Sequence, residues 1–379
     1  MLKMFKLKTV AGAIMLCAIS SLQAASVYSI TAIPGCGGYF TSAWGVNNAG
    51  TVVGSSTRLD YTTAAYTYSN GSMVDLGSIG GNSAEGAAIN QVGQVTGAAY
   101  TLQGPRHAYL YTNGAMRDLG TLGGSDSFGT AINSAGHVVG NSQVASGLTH
   151  AFYYNGSTMR NLGTLGGSVS YAYGINDAGA VVGYSSTPGD NFGNAFVWQN
   201  GVMTNLGVLP GGFLSIAYAS NNAGQITGLS TVGSGDTHVF VSENGVMRDL
   251  GSMGGRSAIG SSINNLGQVV GRYSPTGSAA DSRGFFYDGT AMFDLNNLLQ
   301  AQDQSSWLIA SASGINDLGQ VTVDAYWNGQ RTAALLTPVS AIPEPSTFWL
   351  FFGALTCGIA VANRRKVVGM GTTRVLASG

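Results

Sequence analysis

The sequence predicts an all-β protein, a β-propeller of seven four-stranded blades closed by an N-terminal strand. Three observations predict it: a motif that recurs seven times, two hairpin signals inside each period, and chain ends that complement each other. The motif is a small residue, usually an aliphatic, then Asn, with Gly three positions after the Asn. Its copies are Asn47 and Gly50, Asn90 and Gly93, Asn133 and Gly136, Asn176 and Gly179, Asn221 and Gly224, Asn264 and Gly267, and Asn316 and Gly319. The spacings are 43, 43, 43, 45, 43 and 52 residues. Asn can bond its own backbone and Gly can take positive φ, which is what a short hairpin loop requires.

A second hairpin follows in each period, written Ala65-Tyr66-Thr67-Tyr68, Asn70-Gly71 and Met73-Val74-Asp75-Leu76-Gly77 in the first copy. Two hairpins make four short strands, the content of a propeller blade at about 40–50 residues per repeat. After the last Asn-x-x-Gly, Ala334-Leu335-Leu336-Thr337 falls where a third strand belongs and no fourth follows. The N-terminal run Ile30 to Gly38 lines up with Met73 to Gly81 and supplies it. One strand at the front and three at the back complete a blade and remove the free edges of an open array. An open β-solenoid, the rival architecture, would want atypical capping repeats instead.

The 379 residues include 58 Gly, only 8 Pro and 9% charged residues. This composition fits neither a disordered polyelectrolyte nor a collagen, since Gly has no period of three. From Ala25 to Ile342 there are 9 Arg, no Lys and 16 Asp plus Glu, a net charge of −7. That balance argues against nucleic acid, which would call for a basic stripe. Cys36 has no partner in the body, so no disulfide framework is expected there. It aligns with Ile79, Leu122, Leu165 and Met253 and is expected to be buried and inert.

Residues 1–24 read as a secretory signal. Lys3, Lys6 and Lys8 precede an apolar stretch, and Leu22-Gln23-Ala24 forms a small-residue cleavage site between Ala24 and Ala25. Residues 25–340 hold the repeats. In 341–366, Pro343-Glu344-Pro345-Ser346 precedes sixteen mostly apolar residues, read as one transmembrane helix, and the basic stop Arg364, Arg365 and Lys366. Residues 367–379 then form a short cytoplasmic tail. The chain is expected to be exported, tethered at the inner membrane as a precursor and then placed at the cell surface or outside the cell.

Two resemblances bear on this organisation. His107-Ala108-Tyr109, His150-Ala151-Phe152 and the Leu-Gly-Thr-Leu-Gly-Gly strings at Leu119 and Leu162 resemble the bacterial extracellular HAF repeats. That resemblance implies an extracellular repeat domain and no catalytic residues. The C-terminal order of Pro-Glu-Pro, helix and basic stop resembles the PEP-CTERM sorting signal. It implies an exosortase-type membrane transpeptidase as partner and exopolysaccharide as a further one; the membrane is engaged only before processing.

Among candidate sites, His107, His150 and His238 each begin the third strand of a different blade, a placement that disfavours a shared metal. His137 follows a turn, where other repeats carry Thr51 or Gln94. Asp75, Asp118, Asn161, Asn205, Asp249 and Asp294 recur at one position in six of the seven repeats, which suits a structural bond to nearby backbone better than acid–base catalysis. No G-x-S-x-G, H-E-x-x-H or Gly-Lys-Ser/Thr motif occurs. No cofactor, metal or enzyme activity is expected. The function read from these features is a structural or adhesive surface protein, with a carbohydrate-binding propeller as the alternative and a polysaccharide-degrading enzyme as a weaker one. The segments between second and third strands, Thr57 to Ala64, Ala98 to His107, Asn141 to His150, Tyr184 to Asn194, Leu229 to His238 and Arg272 to Arg283, are the candidate ligand rim.

Overall fold

The computed structural model describes residues 27–189 and 192–339. Ala24 and Ala25, the Pro343 to Ser346 motif, the apolar segment after it, and Arg364, Arg365 and Lys366 lie outside the described residues. The described chain is all-β, with two short 3-10 turns at Ala279–Asp281 and Leu295–Leu298.

Its strands form five antiparallel four-stranded sheets and one eight-stranded sheet. The eight-stranded sheet consists of two antiparallel halves joined at one parallel bridge, Thr237 to Ser257. Seven repeats of one four-stranded unit result, each running from its first strand outward in chain order. The first strands are Gly37–Val46, Gly80–Ile89, Gly123–Ile132, Ser170–Ile175, Ser215–Ser220, Ser257–Ile263 and Trp307–Ile315. The last unit is composite. Its fourth strand is Val27–Ile33, which pairs antiparallel with Gln330–Val339 from Val27 opposite Val339 to Ile33 opposite Ala333. The longer spacing before Asn316 is taken up by Leu295–Leu298 and the turns after it, with Leu295 and Leu298 buried against Tyr28 and Phe286.

Each Asn-x-x-Gly forms the same turn. Asn47 Oδ1 accepts from the N–H groups of Ala49 (3.1 Å) and Thr51 (3.0 Å), and Gly50, at φ +75°, donates to the Asn47 carbonyl. The other end of the side chain leaves the unit. Nδ2 of Asn47 donates to the Asn90 carbonyl, Asn90 to Asn133, Asn133 to Asn176, Asn176 to Asn221, Asn221 to Asn264, Asn264 to Asn316, and Asn316 back to Asn47. All seven Asn residues are buried. Buried amides that spend both ends in this way avoid the cost of unmade bonds and couple each unit to the next.

The core lies between neighbouring sheets. Leu110 and Leu119 of the second unit, for example, pack with Ile132, Val138 and Phe152 of the third. A third-strand aromatic is fully buried in six units: Tyr66, Tyr109, Phe152, Phe196, Phe240 and Phe285. Each such burial contributes roughly 1.5–3 kcal/mol before entropy is charged. The rings lie over second-strand glycines. A Cβ on Gly183 would sit 2.9 Å from Phe196, so glycine is needed there.

The recurring Asp and Asn side chains accept from the backbone N–H two residues on: Asp75 from Gly77 (2.9 Å), Asp118 from Gly120, Asn161 from Gly163, Asn205 from Gly207, Asp249 from Gly251, and Asp294 from Asn296. The third-strand histidines stay within their own units. His107 faces Asp118 at 2.8 Å, His150 faces Asn161 and His238 faces Asp249 at 2.9 Å. His137 meets the Tyr153 hydroxyl at 2.8 Å. Cys36 corrects an expectation: it is half-buried instead of buried, with its thiol 3.4 Å from Met73 Sδ. Ile79, Leu122, Leu165 and Met253 are half-buried too, because this position covers the edge of an inter-sheet core.

Candidate binding cavity

The cavity follows from crowding of the seven first strands. Two and four residues before each Asn the side chain is Gly, Ala or Ser, because the neighbouring unit's backbone comes close. A Cβ on Gly86 would lie 2.8 Å from the Gly54 carbonyl, and one on Gly174 2.9 Å from that of Tyr218. Between these two small residues every first strand carries a β-bulge: the pairing shifts between Ala43 and Gly45, Gly86 and Ala88, Gly129 and Ala131, Ala172 and Gly174, Ala217 and Ala219, Gly260 and Ser262, and Ala312 and Gly314. A bulge frees one residue from the ladder and re-aims its side chain. The residues freed are Trp44, Ala87, Thr130, Tyr173, Tyr218, Ser261 and Ser313, and all seven line one cavity of about 530 Å³.

Residues two positions earlier on the first strands complete the wall, among them Glu85, Phe128, Ile259 and Ser311, with Ala98 and Arg272 from second strands. The order of units set by the Asn bonds places Trp44 three units from Tyr173 and three from Tyr218, across the cavity from both. Tyr173 and Tyr218 are neighbours with ring centroids 5.2 Å apart, and Tyr171 stacks on Tyr173 at 6.4 Å. Burial pushes both Tyr173 and Tyr218 hydroxyls up, with the Arg272 charge opposing it at Tyr218, so both are neutral phenols at physiological pH. Glu85 lies 3.8 Å from Arg106, whose guanidinium stacks over Phe128 at 4.4 Å.

The Asn turns border a second, polar opening of about 190 Å³. It is rimmed by the residue after each Asn, and these form a second set of bonds between units. Asp177 accepts from Ser134, Asn222 from Asp177, Asn265 from Asn222, Asp317 from Asn265, and Asn48 from Asp317. Burial opposes ionisation of Asp177 and Asp317, but the accepted bonds outweigh it and hold both carboxyls below their usual range.

Sequence reasoning placed ligand contacts on the six variable segments, whose loops lie at the opposite end from the Asn turns. Of their residues, Ala98 and Arg272 line the cavity, and each is the first of its segment. Tyr184, first of another, packs on Tyr171 at 6.2 Å. The bulge residues were missed. Their signal is present in the sequence: three residues before each Asn the side chain varies from Ala to Trp between two positions that stay small. Among the described residues no group of three His, Cys, Asp or Glu side chains is placed to hold a metal ion.

No protein-family model matches the chain, and no curated protein matches it. Among solved structures, TolB from Acinetobacter baumannii aligns at 11% identity over 76% of this chain and 64% of that one, under two thirds of its length, with a TM-score of 0.44. The WD40 β-propeller domain of Doa1 aligns at 12% identity over 83% of this chain and 97% of that one, with a TM-score of 0.48. The BP39L lectin from Burkholderia pseudomallei aligns at 9% identity over 83% and 98%, with a TM-score of 0.42.

Proposed function

We propose that this chain is an exported, non-enzymatic β-propeller of seven blades, completed by its N-terminal strand, that binds carbohydrate in its axial cavity and acts as an adhesive protein at the cell surface. The observation that carries the reading is the set of seven bulges, which turns one side chain per blade toward a common space. Two facing aromatic walls, Trp44 against Tyr173 and Tyr218, suit the apolar faces of a sugar ring, and the hydroxyls of Thr130, Ser261 and Ser313 suit its edge. Glu85 is the carboxylate on the cavity wall, whereas glycoside hydrolysis ordinarily needs a facing pair. Binding without turnover is therefore the favoured chemistry. Surface delivery rests on the two ends of the sequence, the signal at 1–24 and the Pro343-Glu344-Pro345 motif with its apolar segment and basic stop, and on their resemblance to exosortase substrates.

A glycan array followed by calorimetry on the hits tests the binding reading. Trp44→Ala and Tyr218→Ala should each weaken binding by about tenfold or more, as loss of a stacking anchor does. Trp44 is 47% exposed, so its variant should melt nearly as the parent does, whereas Tyr218 is half-buried against Tyr173 and its variant should lose some stability. Full affinity in the double variant, or no bound glycan with the wild type, would refute the reading.

A further inference from the structure

The charges in the cavity say more about its ligand than the aromatics do. Arg272 is exposed on the cavity wall, and among the described residues it makes no ion pair and no hydrogen bond. The other described arginines are engaged. Arg58, Arg106, Arg256 and Arg331 face carboxylates, Arg117 and Arg283 donate to carbonyls, Arg248 to the Tyr287 hydroxyl, and Arg160 lies over the Trp198 ring. A lone guanidinium close enough to Tyr218 for its charge to act on that hydroxyl has its planar fork of donors unspent. That fork matches a carboxylate in two parallel charge-assisted bonds.

The geometry points to an acidic saccharide as the ligand: a sugar ring held between Trp44 and the Tyr173–Tyr218 pair, with its carboxylate on Arg272. This assignment rests on the carbohydrate reading of the cavity and narrows it. Glu85 does not oppose it. It stands three units from Arg272 around the ring and has Arg106 beside it, so its charge is partly answered locally and its oxygens are left to accept from sugar hydroxyls. The volume, within the range of about 300–1,000 Å³ for small-ligand sites, accommodates the end of a short oligosaccharide.

Calorimetry with three probes decides it: a trisaccharide ending in a uronic acid, the methyl ester of the same compound, and its neutral hexose counterpart. Wild-type protein should bind the acid about tenfold or more tighter than the ester, and added salt should erode that difference. Arg272→Gln should abolish the preference by weakening the acid far more than the ester, with the melting temperature in place, and Arg272→Lys should restore part of it. Equal binding of acid and ester by the wild type, or a preference that survives in Arg272→Gln, overturns the assignment and leaves carbohydrate binding standing. If none of the three probes binds and a wider glycan array is also blank, the carbohydrate reading fails and the assignment with it.

Discussion

One asparagine per repeat carries three tasks at once in this protein. The Asn176 carbonyl takes the Gly179 N–H, Oδ1 takes that of Ala180 at 2.9 Å, and Nδ2 reaches the Asn221 carbonyl at 3.0 Å. Asn176→Ala keeps the backbone bond and strips the other two, leaving the Ala180 N–H unmet and the Asn221 carbonyl with the Gly224 N–H alone. A buried donor left unmet costs about 1–3 kcal/mol, and the bond between units is lost as well, so the variant should melt several degrees below the parent in a thermal scan; an unchanged melting temperature would show that these side-chain bonds contribute nothing. The turn role of this Asn was legible because Asn and Gly have few competing uses at that spacing. Its bond to the next unit was not, since a partner 45 residues away leaves no local mark. The same contrast holds for Asp118, whose bond to Gly120 follows from local chemistry but whose contact with His107 depends on strand pairing.

The strand Val27–Ile33 shows how much one element can decide. It buries Tyr28 and Ile33, and Tyr28 packs edge-on against Phe286. Deleting residues 27–33 would expose the edge of Gln330–Val339 and the apolar groups of the last unit, leaving an open template for pairing with other chains. The shortened protein should aggregate on warming or melt far below the parent, read by light scattering alongside circular dichroism; a melt like the parent's would count against closure by this strand. The strand was legible from its alignment with Met73 to Gly81. The bulges in the first strands were not, because a bulge breaks the two-residue alternation by which a strand's faces are read. Trp44 therefore reads as an ordinary strand residue until the pairing of Ala43 with Gly54 and Gly45 with Val53 is seen.

In the proposed reading, delivery and recognition use different parts of the whole chain. In the proposed route, export by the N-terminal signal and stop-transfer at Arg364, Arg365 and Lys366 hold the body outside the inner membrane until it is cut near Pro343-Glu344-Pro345. Replacing those three residues with alanine should trap an uncut, membrane-bound form. Fractionation with an antibody to residues 367–379 reads the result, and a tail still attached to surface-located wild-type protein would rule the route out. The repeat, its turns, the four strands per period and the complementary ends are written in local chemistry, which is why the architecture of the units could be derived from Asn, Gly and alternating apolar residues alone. The cavity is a different kind of property. It exists only where seven first strands meet, each adding one residue from a position 43 or more residues from the next. Its aromatic walls and the unspent charge of Arg272 were decided by how the first strands pack together, because proximity between distant repeats is set by how the sheets assemble and not by any single stretch of sequence.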